Sequence, residues 1–299
     1  MSDFCFIVGV GRSGTSLLQS MLHTHDDIFF TPERQFIRNY YSSFLKRRRF
    51  EKLSLKEKIR LISEDKRYAN VDHGVIENGL MDIRKEEGYI DKMLSLGIRN
   101  EDFLYIGEKD ARNIDYLEVL RKIKNSKIIH IYRDPRDVIL SKSKAAWSKR
   151  KGIFLNILIG RVQLFNIAYN KQDIMEVGYE SLLEYTEREL QKICGFLGVV
   201  YQDKMIDFKK SARELLISDT EKSFKQKNFK DLDNRNFDKW KGEISPFNVF
   251  LIECLYFNWM KSKGYGFEYP YWLLVILSSL LGPFLIFSFL IYKVASRIV

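Results

Sequence analysis

The residues best suited to chemistry lie in a short glycine-rich segment close to the N-terminus. Gly9, Gly11 and Gly14 follow an apolar run of strand length at residues 4–8, and apolar side chains then recur at helical spacing over residues 17–22. A strand, a glycine-rich turn and a helix in this order aim backbone N–H groups and a helix N-terminus at one anion. The segment therefore predicts a phosphate-binding loop, in preference to a tight turn without a ligand.

This loop has the spacing of a nucleoside-triphosphate-binding loop but lacks its lysine. Gly9 and Gly14 keep the pattern G-x-x-x-x-G-[K]-[ST], yet Thr15 occupies the lysine position. The nearest cation is Arg12. Hydroxyl side chains lie beside it in sequence, at Ser13, Thr15 and Ser16. The loop is typical of one that holds a phosphate-like group without the usual lysine contact to a terminal phosphate.

A second set of such residues follows another apolar run. Residues 127–132 are predicted to form a buried strand, and Pro135 then lies in the first turn of a helix. Arg133 is at the strand end, and Ser141 follows about two helical turns later. Both can reach one doubly charged phosphate, because a guanidinium group donates two parallel hydrogen bonds. Arg136 is expected instead to pair with Asp134 or Asp137 at the start of the helix.

The elements that must position these loops follow an alternating pattern. Residues 173–178 are predicted to form a third strand, a helix follows over residues 181–197, and Pro246 starts another helix. Strands that alternate with helices predict an α/β fold with a parallel, doubly wound sheet, in which ligands bind beyond the carboxyl ends of the strands. Residues 34–113 have helical periodicity broken by glycines, which predicts a largely helical insertion on the acceptor side of a substrate cleft.

Composition narrows the class of protein. The net charge of +10 fits a polyanionic partner such as a nucleotide, a nucleic acid or an anionic membrane, although basic runs such as residues 46–49 also occur on solvated helices. Cys5, Cys194 and Cys254 are far apart, which predicts buried thiols in a reducing compartment. With four histidines and no His/Cys cluster, we expect no metal. Because the first predicted strand begins about three residues into the sequence, we expect no N-terminal signal peptide.

The C-terminal segment differs from the rest of the chain. Residues 269–292 carry no charge, and about 20 apolar residues suffice for a helix to cross a membrane. Tyr271, Trp272 and Tyr292 lie where an aromatic belt is expected, and Lys293 follows. We predict a catalytic domain at 1–268, a single-pass membrane anchor at 269–293 and a short tail at 294–299. A hairpin that bends at residues 282–283 is the main alternative, and a buried core helix is a third. An anchor at the end of the chain leaves the domain in the cytoplasm.

Together these motifs resemble the sulfotransferase superfamily, whose donor is 3′-phosphoadenosine-5′-phosphosulfate (PAPS). Residues 12–17 match its R-S-G-T-[ST]-L loop, and residues 133–141 match its R-D-x-R-x-x-x-x-S element. Further matches follow in the same order: GEKDARN at 107–113, GYESLL at 178–183, FLGV at 196–199 and KW…GY between 239 and 265. The most similar branches are the tyrosylprotein and carbohydrate sulfotransferases. The resemblance implies a P-loop-like three-layer α/β/α fold, PAPS as donor and no metal.

The resemblance also implies a donor site. The first loop would hold the 5′-phosphosulfate with Arg12, Ser13, Gly14, Thr15 and Ser16. Arg133 and Ser141 would hold the 3′-phosphate, Tyr179 would lie beside the adenine, and Glu180 would be a structural acceptor.

One part of the family's donor site is altered in this chain. A basic R-K-G or R-K-P signature usually precedes the tryptophan that matches Trp240, and it is absent here. Lys230 fits best by its distance from Trp240, while Lys225, Lys227 and Arg235 compete for the same role.

Sulfuryl transfer needs an activated hydroxyl, in-line approach to sulfur and stabilisation of the charge on the leaving oxygen. By the resemblance, Arg12 and Lys109 contact the transferring group and the leaving oxygen, and Glu33 is the general base. A purely structural ion pair is the alternative for each of these two residues. Lys109 would then pair with Glu108 or Asp110, and Glu33 would pair with Arg34 or Arg38. His25 is the second candidate for the base, and His130 is expected to be a core histidine.

The sequence and the resemblance thus predict a membrane-anchored sulfotransferase that acts on a hydroxyl of a glycan, a glycolipid or another membrane-proximal acceptor such as a lipid-linked precursor. We expect no nucleic-acid partner. A P-loop-type small-molecule kinase is the first alternative, which the missing lysine disfavours. A non-catalytic nucleotide-binding module is the second, and it would keep Arg133 and Ser141 without turnover.

Overall fold

The fold is organised around a parallel β-sheet. A computed structural model describes residues 2–81, 89–98, 103–145, 152–170, 172–215 and 237–298. Within these residues the strands have the order β2-β3-β1-β4-β5, and every neighbouring pair is parallel. The strands are β1 (Asp3–Val8), β2 (Ile28–Phe30), β3 (Tyr105–Lys109), β4 (Ser126–Tyr132) and β5 (Ile174–Gly178).

Helices cover both faces of this sheet, so the domain has three layers. The helices are α1 (Thr15–His23), α2 (Phe44–Glu51), α3 (Leu55–Ser63), α4 (His73–Met81), α5 (Tyr89–Ser95), α6 (Leu117–Leu120), α7 (Pro135–Lys144), α8 (Gly152–Tyr169), α9 (Tyr179–Glu184), α10 (Thr186–Leu197), α11 (Lys209–Glu214), α12 (Pro246–Ser262) and α13 (Tyr271–Ile298). Short helical turns lie at Ile37–Tyr41, Lys66–Tyr68, Ala111–Asp115 and Asp203–Ile206.

The central strand explains why two separate cores exist. Phe4, Phe6 and Val8 of β1 face a core formed with α6, α7, α8 and α12, whereas Cys5 and Ile7 face a core formed with α1, α9, α10 and α11. Side chains alternate between the two faces of a strand, and a strand buried on both faces is apolar throughout. The predicted α/β fold with a central parallel sheet is confirmed.

The helical insertion has a core of its own. Phe36, Phe50, Ile62, Tyr68 and Leu80 pack together in a cluster separate from the two cores that flank the sheet. The range 34–113 also contains β3, so the helical segment ends before this strand. Pairing with both β1 and β2 makes β3 an inner strand of the sheet.

Two other elements differ from their expected bounds. The helix expected over residues 181–197 is divided into α9 and α10 at Tyr185, and Gly198 ends α10 in the left-handed conformation. β2 was not expected at all. It contains three residues and pairs with β3 alone, so its sequence carries little periodicity.

Two apolar helices bear on the membrane question. Among the described residues, α8 is long and apolar enough to cross a membrane by length and composition alone, and Tyr271–Pro283 is a shorter apolar stretch. α8 is a core helix of the domain, because Asn166 donates to the backbone oxygen of Ile114 (2.7 Å) and Gln163 donates to Asp115 (3.1 Å). These contacts place its polar residues against the turn that follows β3.

Candidate active site

The loop between β1 and α1 contains positive φ angles and close contacts that favour glycine. Gly14 precedes α1 with a φ of +97°, and Arg12 has a φ of +81°. A Cβ atom on Gly14 would lie 2.4 Å from Cδ2 of Tyr179, and one on Gly9 would lie 2.5 Å from the backbone oxygen of Ile131. Glycine is therefore required at both ends of the loop. The aromatic ring of Tyr179 packs directly on the loop.

The hydroxyl residues of this loop lie at the beginning of α1. Ser13 and Thr15 are buried, and Ser16 is half-buried. The backbone N–H of Ser13 donates to the backbone oxygen of Val10 (3.1 Å), which closes the turn. Since α1 begins at Thr15, its first backbone N–H groups lie beside these hydroxyls. The predicted loop residues thus lie together at a helix N-terminus.

A direct hydrogen bond connects the first loop to the second. Nε of Arg12 donates to Oγ of Ser141 in α7 at 3.0 Å, although the two residues are 129 positions apart. Burial lowers the pKa of the Arg12 guanidinium, and the positive charge of Arg133 lowers it further. Two guanidinium groups that oppose each other in this way mark a place where an anion would be stabilised.

Arg133 lies between the two loops. Its guanidinium stacks on the ring of Tyr179, with Cζ at 4.5 Å from the ring centroid, and Nη2 lies 3.4 Å from a carboxylate oxygen of Asp137. Tyr179 in turn packs on Gly14. The predicted donor-site residues Arg12, Gly14, Arg133, Ser141 and Tyr179 therefore form one continuous group at the carboxyl ends of β1 and β4.

Buried charges hold the second loop in place. Asp134 accepts hydrogen bonds from Arg136, which also donates to Glu253 (2.7 Å). Glu180 accepts from the backbone N–H of Asp134 (3.0 Å) and from the hydroxyl of Tyr265 (2.9 Å). The predicted pairing of Arg136 with Asp134 is confirmed, as is the role of Glu180 as an acceptor within the fold.

Glu33 and Lys109 contact each other, which the sequence did not indicate. Nζ of Lys109 donates to Oε2 of Glu33, and Gln35 donates to the other carboxylate oxygen (3.1 Å). Lys109 is the last residue of β3 and is buried, while Glu33 is half-buried. The alternative partners weighed from sequence are occupied by other groups. Arg34 donates to the backbone oxygen of Leu96 (2.6 Å), and Arg38 pairs with Asp110 (3.1 Å).

The contact between Glu33 and Lys109 lies one strand away from the donor loop. Ile7 of β1 is in register with Lys109 of β3, and the backbone N–H of Gly9 donates to the backbone oxygen of Ala111 (3.4 Å). The strand ends that carry Arg12 and Lys109 are thus neighbours. All three predicted catalytic residues lie at one edge of the sheet.

Two buried carboxyl groups beside Lys109 were not singled out from the sequence. Burial raises the pKa of Glu108 from its ordinary value of 4.5 to about 8, although Asn113 donates to it (3.0 Å). Burial and the nearby Glu33 raise the pKa of Asp110 to about 6, against the lowering effect of Arg38. The segment GEKD at residues 107–110 carries charged residues in a row at the end of an apolar run. Successive side chains of a strand point to opposite faces, so at least one of these charges must face the core, and this pattern could have indicated a buried carboxyl group.

The histidines have structural positions. Nε2 of His25 lies 2.7 Å from the backbone oxygen of Val200, and Nδ1 accepts from the backbone N–H of Asp27 (3.0 Å). His25 thereby ties the end of α1 to the segment after α10 and does not contact Glu33 in these hydrogen bonds. His130 is fully buried within β4. Lys230 and its competitors Lys225, Lys227 and Arg235 lie outside the described residues.

Comparison with known proteins adds to this picture of an α/β domain with two anion-binding loops. Residues 5–203 match the family model described as the sulfotransferase family. The fold is similar to the sulfotransferase domain of the Synechococcus PCC 7002 olefin synthase, with a TM-score of 0.59 and 19% identity, covering 84% of this chain and 94% of that domain. It is also similar to the sulfotransferase domain from the curacin biosynthetic pathway, with a TM-score of 0.61 and 21% identity, covering 90% and 99%.

An uncharacterized protein of Aquifex aeolicus (strain VF5) is similar in sequence. It is 22% identical over 221 residues, which cover 70% of this chain and 27% of that protein. The chain therefore spans about a quarter of the length of this relative.

The family match covers about two thirds of the chain, including both predicted anion-binding loops and Lys109. The chain belongs to the sulfotransferase family, and membership of the family implies PAPS as the donor.

Proposed function

We propose that this sulfotransferase moves a sulfuryl group from PAPS to a hydroxyl of a glycan, a glycolipid or a lipid-linked precursor at a membrane. One observation carries the proposal. The loops after β1 and β4 contact each other through Arg12 and Ser141, one strand away from the contact between Glu33 and Lys109. Two loops suited to binding anions, and a carboxylate paired with a lysine, thus lie together at the carboxyl ends of neighbouring strands.

The residues of the two loops fit the charge of PAPS. Arg12, with the hydroxyls and backbone of Ser13, Gly14, Thr15 and Ser16, holds the 5′-phosphosulfate at the start of α1. Arg133 and Ser141 hold the 3′-phosphate, since a guanidinium and a hydroxyl supply several donors to a doubly charged group. The ring of Tyr179 packs on both Gly14 and Arg133 and lies beside the adenine.

A further basic residue completes this donor site. We assign the role to Lys230, from the basic residues that precede Trp240. Trp240 itself is anchored to the second loop, because its backbone N–H donates to Asp137 (3.1 Å) and its ring lies 4.0 Å from Cζ of Arg136. Trp240 is thereby held against α7, the helix that carries Ser141.

The catalytic roles follow from the contacts beside the loops. When PAPS is bound, the acceptor oxygen bonds to sulfur as the bond between sulfur and the bridging phosphate oxygen breaks. Glu33 takes the proton of the acceptor hydroxyl, and its contact with Lys109 favours the ionised carboxylate that accepts a proton. Lys109 and Arg12 offset the negative charge on the transferring group and the leaving oxygen. Glu33 and Lys109 must part as the acceptor enters.

The C-terminal helix is the proposed membrane anchor. Residues 269–292 carry no charge, and α13 extends from Tyr271 to Ile298. Trp272, Ile276 and Leu280 form an exposed apolar stripe along its first turns. We propose a single-pass anchor that keeps the catalytic domain in the cytoplasm, so that acceptors are taken from the bilayer surface.

The test uses the full chain in detergent micelles and in lipid vesicles. We expect 3′-phosphoadenosine-5′-phosphate (PAP) at ~100 times its dissociation constant to add about 2.7 kcal/mol to the stability of the folded protein, seen as a rise in Tm. ATP at the same concentration is expected to give a smaller rise. An equal rise with ATP would overturn the donor assignment and favour the kinase alternative.

Turnover is measured with ³⁵S-labelled PAPS and a membrane lipid extract. We expect label in the lipid or glycolipid fraction, and Glu33→Gln is expected to abolish most of it while PAP still raises Tm. Glu184→Gln, at an exposed position of α9, is the matched control. Unchanged turnover in Glu33→Gln would show that another group is the base.

A further inference from the structure

The first turns of the C-terminal helix are packed on the catalytic domain. Leu274 of α13 is fully buried against Cys254 and Phe257 of α12, and Leu277 and Leu281 pack at the edge of the same cluster. Tyr269, just before the helix, packs edge-to-face with Phe250 and donates from its hydroxyl to the backbone oxygen of Pro246 (2.8 Å). The helix is therefore held against the domain as far as Leu281.

The length of the remaining helix then limits the position of the domain. From Leu281 to the end of α13 at Ile298 the helix measures about 25 Å, at 1.5 Å per residue. The hydrocarbon core of a bilayer is about 30 Å thick. The free part of the helix is therefore slightly shorter than the core it would cross. If it crosses the core, the turns packed on the domain, and the domain surface beside them, must lie at the lipid.

The domain surface beside these turns is apolar. α13 contacts both α2 and α8. Large apolar side chains on the three helices are exposed: Phe44 and Leu45 at the start of α2, Phe154 and Leu155 near the start of α8, and Trp272, Ile276 and Leu280 on α13. Phe44 and Leu280 are more than two-thirds exposed, at 73% and 71%. A large exposed apolar patch on a folded domain marks an interaction site.

Positive charge borders the apolar patch. α2 continues from Leu45 into a run of four basic residues at 46–49, and the side chains of Arg48 and Arg49 are exposed. Apolar side chains next to exposed arginines match the boundary between hydrocarbon and anionic headgroups. The charge pattern thus favours an anionic bilayer as the occupant over a second copy of this basic chain.

We propose that the starts of α2 and α8 and the exposed stripe of α13 form a docking surface for one leaflet of an anionic bilayer. The inference rests on the proposed membrane anchoring and goes beyond it, because it gives the domain a second contact with lipid and a defined orientation. The domain lies against the bilayer and is not suspended from a tether.

This orientation bears on the active site. Nζ of Lys46 in α2 donates to the backbone oxygen of Arg38 (3.4 Å), and Arg38 pairs with Asp110 (3.1 Å), the residue after Lys109. The docking helix is therefore joined to the acceptor side of the site by two polar contacts. The helix that would contact the lipid is thus connected to the residue that follows Lys109.

The test uses single cysteines in the full chain, labelled with an environment-sensitive fluorophore. The native residues Cys5, Cys194 and Cys254 are buried, and burial raises the pKa of their thiols to about 12, 11 and 11, so they react slowly. Labels are placed at Phe44→Cys and Leu155→Cys for docking, at Phe287→Cys for the anchor, because Phe287 is exposed and lies beyond the turns packed on the domain, and at Val200→Cys as the control. Val200 is 82% exposed and lies after α10, on the other face of the sheet.

The protein is reconstituted in vesicles of phosphatidylcholine and phosphatidylglycerol in equal parts, with a nitroxide on the lipid chain as quencher. We expect labels at positions 44, 155 and 287 to be quenched several-fold more than the label at 200. Quenching at 287, with the labels at 44 and 155 quenched no more than the label at 200, would overturn the docking surface and leave the anchor intact. No quenching at 287 would overturn the anchor and the docking surface together.

Charge reversal tests the basic border. We expect Arg48→Glu/Arg49→Glu to lower quenching at position 44 in the anionic vesicles and to leave it unchanged in phosphatidylcholine alone. The control is Lys122→Glu/Lys124→Glu, two exposed positions next to Arg121, which contacts Asn170 beyond the far end of α8. An equal loss in both double variants would show that only net charge matters. Shielding of the label at 44 in micelles, with the mass of a dimer, would assign the surface to a second copy and overturn the proposal.

Discussion

The donor side and the acceptor side of this domain hold their charges differently. On the proposed donor side, Arg12 and Arg133 follow the adjacent strands β1 and β4, and the positive charge of Arg133 adds to burial in lowering the pKa of the Arg12 guanidinium. On the acceptor side, Glu33 contacts Lys109 and Arg38 pairs with Asp110. Arg133 also lies 3.4 Å from a carboxylate oxygen of Asp137, but Arg12 donates to the neutral hydroxyl of Ser141, so a bound anion would offset the positive charge of the proposed donor side. The proposed acceptor side is internally neutralised and would have to exchange contacts when its substrate enters.

The two sides also differ in what supports them. The donor loops are short turns between a strand and a helix, and both cores of the sheet hold those elements. The acceptor side belongs to a helical insertion with a separate small core. This difference suggests that changes on the donor side affect ligand affinity, while changes on the acceptor side affect turnover.

The largest effect is expected from Lys109→Ala. Loss of the cation removes the partner of Glu33 and a group that offsets charge on the leaving oxygen, so turnover with PAPS should fall by about 10²–10³-fold. The affinity for PAP should fall less than the turnover does, because the donor loops are unaltered and Arg12 still contacts the 5′-phosphate. Lys122→Ala, an exposed lysine before β4, is the control. A loss of PAP affinity in Lys109→Ala as large as the loss of turnover would show that this lysine belongs to the donor side. It would contradict the separation between affinity on the donor side and turnover on the acceptor side.

Arg133→Ala is expected to act on the donor side. Hydrogen bonds to charged groups are worth roughly 1.5–3 kcal/mol, so PAP should bind about 10–100-fold more weakly, measured by calorimetry. Ser141→Ala should follow with a smaller loss, because Arg12 keeps its charge when its contact with Oγ is removed. Arg60→Ala, whose side chain is 77% exposed on α3, provides the comparison. Equal PAP affinity in Arg133→Ala and Arg60→Ala would contradict the assigned role.

Two glycine substitutions compare a required glycine with a permissive one. Gly14→Ala should destabilise the domain by about 1–3 kcal/mol, because its φ is +97° and its Cβ would overlap the ring of Tyr179. Gly195→Ala, within α10 and with open space around it, should stabilise by about 0.5–1 kcal/mol. Denaturant titration measures both changes. The same sign in both variants would show that the loop tolerates a side chain.

A slope in stability with pH is expected from Glu108. Its pKa is raised from 4.5 to about 8, so between these values the folded state binds a proton that the unfolded state has released. Stability should therefore fall as pH rises through this range, by at most about 1.4 kcal/mol per pH unit. Asp110, Glu33 and Arg34 also interact electrostatically with Glu108.

Glu108→Gln isolates this contribution, because the amide oxygen can still accept from Asn113. The unfolding free energies of wild type and variant are measured by denaturant titration from pH 5 to pH 8. The wild-type value minus that of the variant should fall as the pH rises. Parallel curves for the two proteins would show that Glu108 is ionised in the fold.

Some features of this protein follow from its sequence alone. Local order is enough for the donor loops, since a strand, a glycine-rich turn and a helix N-terminus are contiguous in residues 4–22. The same holds for Pro135 at the start of α7, for Gly198 at the end of α10 and for the parallel sheet that alternating strands and helices require. Each depends on neighbours within a few residues.

Other features depend on contacts between residues that are far apart in the chain. The pairing of Glu33 with Lys109 spans 76 positions and the contact of Arg12 with Ser141 spans 129, and no local pattern specifies either partner. Burial of Glu108 follows from the place of β3 inside the sheet, and the apolar surface shared by α2, α8 and α13 forms only when the three helices meet. Sequence determines which groups can bind and react, because local geometry depends on local residues. Their partners, their burial and therefore their charge states are decided by tertiary packing.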